Sequence, residues 1–233
     1  MKKIVCCLAL VIVFLIQAPL ISYGTQAYGH VYCRNSAKAG KIALTFDDGP
    51  HPRYTEEILS ILAEYKIPAT FFIIGINAET YPESLKMIVD AGCEIGNHTY
   101  SHARINKMDR QAIEEEIKQC EETIFQLSGS RPSLFRPPEG AMSDTLSEVI
   151  KEMQYNIVLW SIDTLDWAMN PSENICQTVT TQLKGGDIIL MHDYVSGGNT
   201  TCKALKTMIP LLLSKGYEFV TVSELINGDY AKA

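Results

Sequence analysis

The chain has 233 residues, 46% of them hydrophobic in type and 20% charged, which supports one sizeable core and excludes a disordered chain. Its formal net charge of −7 excludes general nucleic-acid binding, which needs clustered Lys and Arg against phosphate. At the N-terminus, Lys2 and Lys3 precede an apolar run from Ile4 to Ile16, the pattern of an export signal. Residues 1–28 therefore read as a signal peptide cleaved between Ser22 and Gly29. The alternative is an uncleaved membrane anchor, because apolar residues continue to Ile21. Either reading places the remainder outside the cytoplasm, secreted or held at the cell wall or membrane. Residues 29–40 read as a lead-in, 41–227 as one catalytic-sized domain and 228–233 as a tail.

From Lys41 onward, short apolar runs alternate with amphipathic stretches. Strands are predicted at Ile42–Phe46, Thr70–Ile74, Glu94–Gly96, Leu134–Phe135, Ile157–Trp160, Ile188–Met191 and Phe219–Val222. Helices are predicted at Thr55–Tyr65, Tyr81–Ala91, Arg110–Leu127, Ser143–Met153, Ser172–Leu183 and Cys202–Leu213. Gly92, Gly129, Gly185 and Gly216 stand just past helix ends. Strand–helix alternation with continuous apolar strands predicts a parallel sheet covered by helices. About seven such strands fit an irregular barrel or a doubly wound sheet, and periodicity does not separate the two. Cys33, Cys93, Cys120, Cys176 and Cys202 follow the signal; their odd number leaves at least one thiol unpaired in a monomer, and none forms a C-x-x-C zinc pair.

Reactive residues fall where these strands end. Asp47 and Asp48 follow the first, Asn97 and His98 the third, Arg136 the fourth, Asp163 and Asp166 the fifth, and His192 the sixth. In α/β barrels and open α/β sheets that edge carries binding and catalysis. In Thr45–Pro50, two adjacent carboxylates raise each other's pKa, a cost that a divalent cation relieves; an Asp-Gly turn is the bland reading. His98-Thr-Tyr-Ser-His102 has the i, i+4 spacing that puts two imidazoles on one face of a helical turn; a surface pair is the alternative. Two His and one Asp make a three-ligand zinc site with positions open for water and substrate. Arg136-Pro-Pro-Glu-Gly140 reads, in isolation, as a rigid surface turn; were Arg136 buried, it would need a carboxylate. Gly140 would admit close approach of a ligand. Trp160 and Trp167 fit either the core or stacking on sugar, and a lone His192 is more often structural.

Taken together, Thr45–Pro50, His98–His102, Arg136–Gly140, Asp163–Trp167 and Leu190–His192 resemble, in order and spacing, the five motifs of the polysaccharide deacetylase family. This family is also called carbohydrate esterase family 4 or the NodB-homology domain. The resemblance runs from about Lys41 to Leu225 and implies an α/β fold, a distorted (β/α) barrel of about seven parallel strands. It implies that Asp48, His98 and His102 bind one divalent metal, usually Zn2+, with Co2+, Ni2+ or Mn2+ as alternatives. It makes Asp47 the general base, Arg136 its holder, His192 the general acid and Asp166 the partner of His192. Trp167 and Leu190 would line the acetyl pocket. The implied activity is hydrolysis of N-acetyl groups on an amino-sugar polysaccharide such as peptidoglycan, a chitin-like oligomer or an exopolysaccharide. An O-deacetylase, a small-amide deacetylase and an inactive glycan-binding protein are the competing readings. Glu139 stands where the family often has Tyr, so it bears on substrate preference, while its backbone N–H remains available as an oxyanion donor.

Overall fold

The computed structural model describes residues 29–194 and 200–226. The expected signal segment and the tail lie outside them. The chain runs β1 (Val31–Tyr32), β2 (Lys41–Gly49), α1 (Tyr54–Tyr65), β3 (Thr70–Ile73), α2 (Gly75–Thr80), α3 (Pro82–Asp90) and β4 (Glu94–Asn97). It continues through α4 (Arg110–Ser128), β5 (Leu134–Phe135), α5 (Asp144–Glu152), β6 (Asn156–Val158), β7 (Ile162–Asp163) and α6 (Ser172–Gln182). It closes with β8 (Asp187–His192), α7 (Thr200–Ser214), β9 (Glu218–Phe219) and α8 (Val222–Ile226).

The helices form where burial and capping agree. In α4 the buried residues Ile113, Ile117, Cys120 and Ile124 recur at helical spacing. The Asp109 side chain accepts from Ala112 N–H at its start, and Gly129, at φ 73°, stops it. Ser143 caps α5 in the same way, through Leu146 N–H. No helix among the described residues is long and apolar enough to cross a membrane.

All strand pairs are parallel, in the order β1-β6-β5-β4-β3-β2-β8-β7, with β9 also on β2. The sheet curls because residues 156–163 serve both ends of that order: β6 pairs with β5, and β7 pairs with β8. This is the distorted barrel, with nine strands among the described residues against about seven expected. Along β2, Ile42, Leu44 and Phe46 face the helix layer of α1 and α7, while Ala43 packs with Phe72, Leu134, Val158 and Ile188 inside the curl. A third cluster joins Ile113 and Ile117 of α4 to Val149 and Ile150 of α5.

Several sequence expectations change. The strand expected at Ile157–Trp160 ends at Val158 as β6, and β7 follows at Ile162–Asp163, because the chain must leave one neighbour and join another. The strand expected at Phe219–Val222 ends at Phe219, and Val222 opens α8. The lead-in belongs to the body: Val31 and Tyr32 pair with Ile157 and Val158, and Asn35 Nδ2 donates to Leu225 O at 2.8 Å. Cys33, Cys93, Cys120 and Cys176 are free thiols.

Candidate active site

Loops at the carboxyl ends of the strands converge on a cavity of about 400 Å3. Every site residue expected from the sequence lines it except Arg136 and Asp166, which lie behind the wall; Trp160 and Asp163 complete the lining. Strand register explains the convergence. Asp47 pairs with His192 across β2 and β8, Ile73 with Asn97, and Asn97 with Phe135, so the polar strand ends share one level.

Neighbouring side chains on a regular strand point to opposite faces. The register between β2 and β3 shifts between Phe46 and Gly49, and Asp48 adopts φ 70°. That irregularity, of the kind a bulge makes, turns both carboxylates toward His98. Asp47 Oδ2 lies 3.7 Å and Asp48 Oδ1 3.4 Å from His98 Nε2. Asn77 Nδ2 holds the turn by donating to Asp48 O at 2.8 Å.

His102 Nε2 lies 3.3 Å from the same Asp48 Oδ1. This oxygen is buried, and neither imidazole meets it with hydrogen-bond geometry. The ligand atoms of Asp48, His98 and His102 all lie within 4.8 Å of one another. A buried oxygen left without a hydrogen bond is costly, and a cation between these three groups removes the cost. His98 Nδ1 is 2.7 Å from the Arg136 carbonyl, which places its proton there and leaves Nε2 free as a ligand. The three residues therefore fit one divalent metal of the zinc type. Electrostatics agree. Burial would raise Asp48, but the nearness of His98, then of His192 and His102, holds its pKa down at about 2. Burial opposes charge on His98, yet Asp47 and Asp48 outweigh it and raise its pKa. Burial lowers His102.

Arg136 is fully buried inside the curl rather than on a surface turn. Its Nη1 donates to Asp47 Oδ1 at 2.6 Å and to Thr45 Oγ1 at 2.8 Å. Nε donates to Val158 O and Nη2 to Leu159 O, and the guanidinium lies 4.1 Å from the Phe72 ring centroid. Gly140, at φ 65°, admits the Trp160 ring rather than a ligand: a Cβ there would meet Trp160 Cη2 at 2.8 Å. Glu139, at φ 58°, carries an exposed carboxylate 3.7 Å from Arg104 Nε.

On the other side, Asp166 is fully buried and its Oδ1 is 2.7 Å from His192 Nδ1. Asp166 Oδ2 accepts from His192 N–H at 2.8 Å and from the Thr201 hydroxyl at 2.7 Å. Burial alone would lower His192, but the hydrogen bond and charge of Asp166, then Asp47 and Asp48, push its pKa up to about 9. Leu190 is buried in the wall, whereas Trp167 is 56% exposed at the mouth.

Sequence reasoning missed some residues that shape the site. Thr201 is one. Asp193 is another: it is buried, accepts from Thr55 Oγ1 at 2.5 Å and donates its N–H to Asp47 O at 2.9 Å. Burial pushes its pKa up to about 7. Its place directly after His192 was the one available signal. The partner Thr55 lies 138 residues away in the chain, beyond any local pattern.

A sequence profile described as "Polysaccharide deacetylase" matches residues 34–158. A Bacillus cereus peptidoglycan-N-acetylglucosamine deacetylase is 41% identical over 187 residues, covering 79% of this chain and 87% of the relative. The Bacillus subtilis peptidoglycan-N-acetylmuramic acid deacetylase PdaC is 38% identical over 79% of this chain and 38% of its own length. Among solved structures, the Bc1960 peptidoglycan N-acetylglucosamine deacetylase superposes with a TM-score of 0.81 at 36% identity, covering 85% of this chain and 92% of that one. Barrel, profile and relatives agree, and the chain belongs to the polysaccharide deacetylase family as an enzyme of that class.

Proposed function

We propose that this protein is an exported, metal-dependent hydrolase that removes N-acetyl groups from N-acetylglucosamine-type residues of peptidoglycan. The observation that carries the reading is the Asp48–His98–His102 cluster, flanked in one cavity by Asp47 and His192. Asp48, His98 and His102 would hold one divalent metal, Zn2+ first among Zn2+, Co2+, Ni2+ and Mn2+. When bound, it would polarise the acetyl carbonyl and lower the pKa of water. Asp47 takes the proton of the attacking water: Arg136 fixes Oδ1 and leaves Oδ2 turned toward the cavity. His192 is bound to Asp166 through Nδ1, so Nε2 is the atom that delivers a proton to the departing nitrogen. The backbone N–H of Glu139 assists at the developing oxyanion. Leu190 and Trp167 receive the acetyl methyl, and the Glu139 carboxylate tunes which glycan enters. Among the described residues, no Ser-centred triad lines this cavity.

The names of the relatives favour peptidoglycan over the chitin-like and exopolysaccharide alternatives. The basic and apolar start of the chain supports export, either cleaved or anchored. Competing readings are an O-deacetylase or small-amide deacetylase on the same scaffold and an inactive glycan binder. The last requires loss of chemistry from a site that retains acid, base and ligands together. The test is mass spectrometry of peptidoglycan and of N-acetylglucosamine oligomers after incubation with zinc-loaded protein, beside ester analogues. Loss of acetyl mass from glucosamine residues is expected. Release from esters alone, or from no substrate, would overturn the proposal.

A further inference from the structure

His98 and His102 are four residues apart, yet no helical turn joins them. Thr99 and His102 have φ of 68° and 57°, outside the right-handed helical region. The main-chain groups between the ligands therefore need partners from elsewhere. The carbonyls of Thr99 and Tyr100 accept from Gly75 and Ile76 N–H of α2, at 3.1 and 2.9 Å. Thr99 N–H donates to Asn97 Oδ1 at 2.9 Å. The N–H groups of Tyr100 and Ser101 both donate to one oxygen, Glu116 Oε2, at 3.0 and 2.9 Å. The Ser101 hydroxyl donates to Glu116 Oε1 at 2.7 Å. Glu116 sits on α4 beside the fully buried Ile117, whose carbonyl accepts from Asn97 Nδ2 at 2.9 Å. One carboxylate on a core-anchored helix thus gathers three donors from the two residues that lead into His102.

We propose that Glu116 is a positioning residue for the metal, setting the turn that brings His102 Nε2 onto Asp48. The inference rests on Asp48, His98 and His102 being the metal site. Charge-assisted bonds to the backbone are the stronger kind, and Ser101, next to the ligand, makes both its N–H and its hydroxyl bond to this one side chain. Groups that orient a ligand from behind typically govern metal affinity by about 10–100-fold.

The experiment uses the full chain stripped of metal and titrated with Zn2+ against a chromophoric chelator, with Co2+ absorption spectra in parallel and thermal unfolding of the metal-free forms. Glu116→Ala is expected to weaken zinc binding by about 10–100-fold and to alter the cobalt bands. Glu116→Gln keeps an oxygen for the two backbone N–H groups and is expected to stay within about fivefold of wild type, the equivalent of one hydrogen bond. A folded Glu116→Ala with wild-type zinc affinity and cobalt spectrum would overturn the proposal, as would a Gln variant as impaired as Ala. Should Glu116→Ala not fold, Ser101→Ala decides: a loss of about fivefold supports the role, and unchanged binding overturns it. Zinc binding is read without substrate. Tight zinc binding with no deacetylation by the wild type would therefore sink the catalytic proposal alone, while absence of zinc binding would sink both.

Discussion

Arg136 and Asp166 hold their partners from behind the cavity wall in the same manner. Each is fully buried, each binds a side-chain atom of a residue that lines the cavity, and each leaves that side chain's other polar atom facing the cavity. For His192 this has a pH consequence. Its pKa is raised to about 9, so its protonated form contributes stability that is fully present below about 6.5 and lost as pH rises through about 9. Asp166→Asn keeps an acceptor for Nδ1 but removes the charge. The alkaline limb of the kcat/KM profile is expected to move acid-ward by about one to two pH units, with metal content unchanged. A limb that stays in place would assign it to another group.

At the scale of elements, two irregular junctions stand out, one at the site and one at the opposite end of β8. One is the shift at Asp47–Asp48, without which the two carboxylates would face opposite sides of the sheet. The other is Gly185–Gly186, where the segment before β2 crosses the start of β8. Asn35 N–H donates to Gly186 O at 2.7 Å, and a Cβ on Gly186, at φ 70°, would stand 1.8 Å from Asn35 O. Gly216 has an equally left-handed φ of 84° but open space around it. Gly186→Ala is therefore expected to cost about 2–5 kcal/mol of unfolding free energy, from backbone strain and overpacking together. Gly216→Ala should cost about 1–2 kcal/mol, from strain alone. Equal costs in denaturant titrations would show that the crossing segment is not held closely.

At the scale of the whole molecule, the Asp48–His98–His102 cluster joins strands that are not neighbours in the sheet. Asp48 comes from the end of β2, and His98 and His102 follow β4, with β3 between them. A metal that binds the folded arrangement and not the unfolded chain adds about 2.7 kcal/mol when free metal is at a hundred times Kd. For a domain of this size that corresponds to a Tm rise of about 5–10 °C. Chelation should reverse the rise, and His98→Ala should show none of it. A Tm indifferent to zinc and to chelator would argue against the three-residue site.

The longer helices and most strands were legible because burial on one face leaves a local period in the residues. α4 is the clearest case, with Ile113, Ile117 and Ile124 in step and Gly129 as its stop. The six-residue α2 and the five-residue α8 are too short to show a period, and β1 has only two residues. The site's residue types were equally legible, because reactive groups follow apolar strands and no local packing need explains them. The sequence by itself determined the parallel strand–helix alternation and which chemistry is available at the strand ends. Only the tertiary structure decided that Arg136 lies inside the curl, that two adjacent carboxylates face one imidazole, and that the His98–His102 turn is held by Glu116 instead of a helix. Those outcomes depend on register and on partners far apart in the chain, and hydrogen bonds of that range leave no periodic trace in the residues that make them.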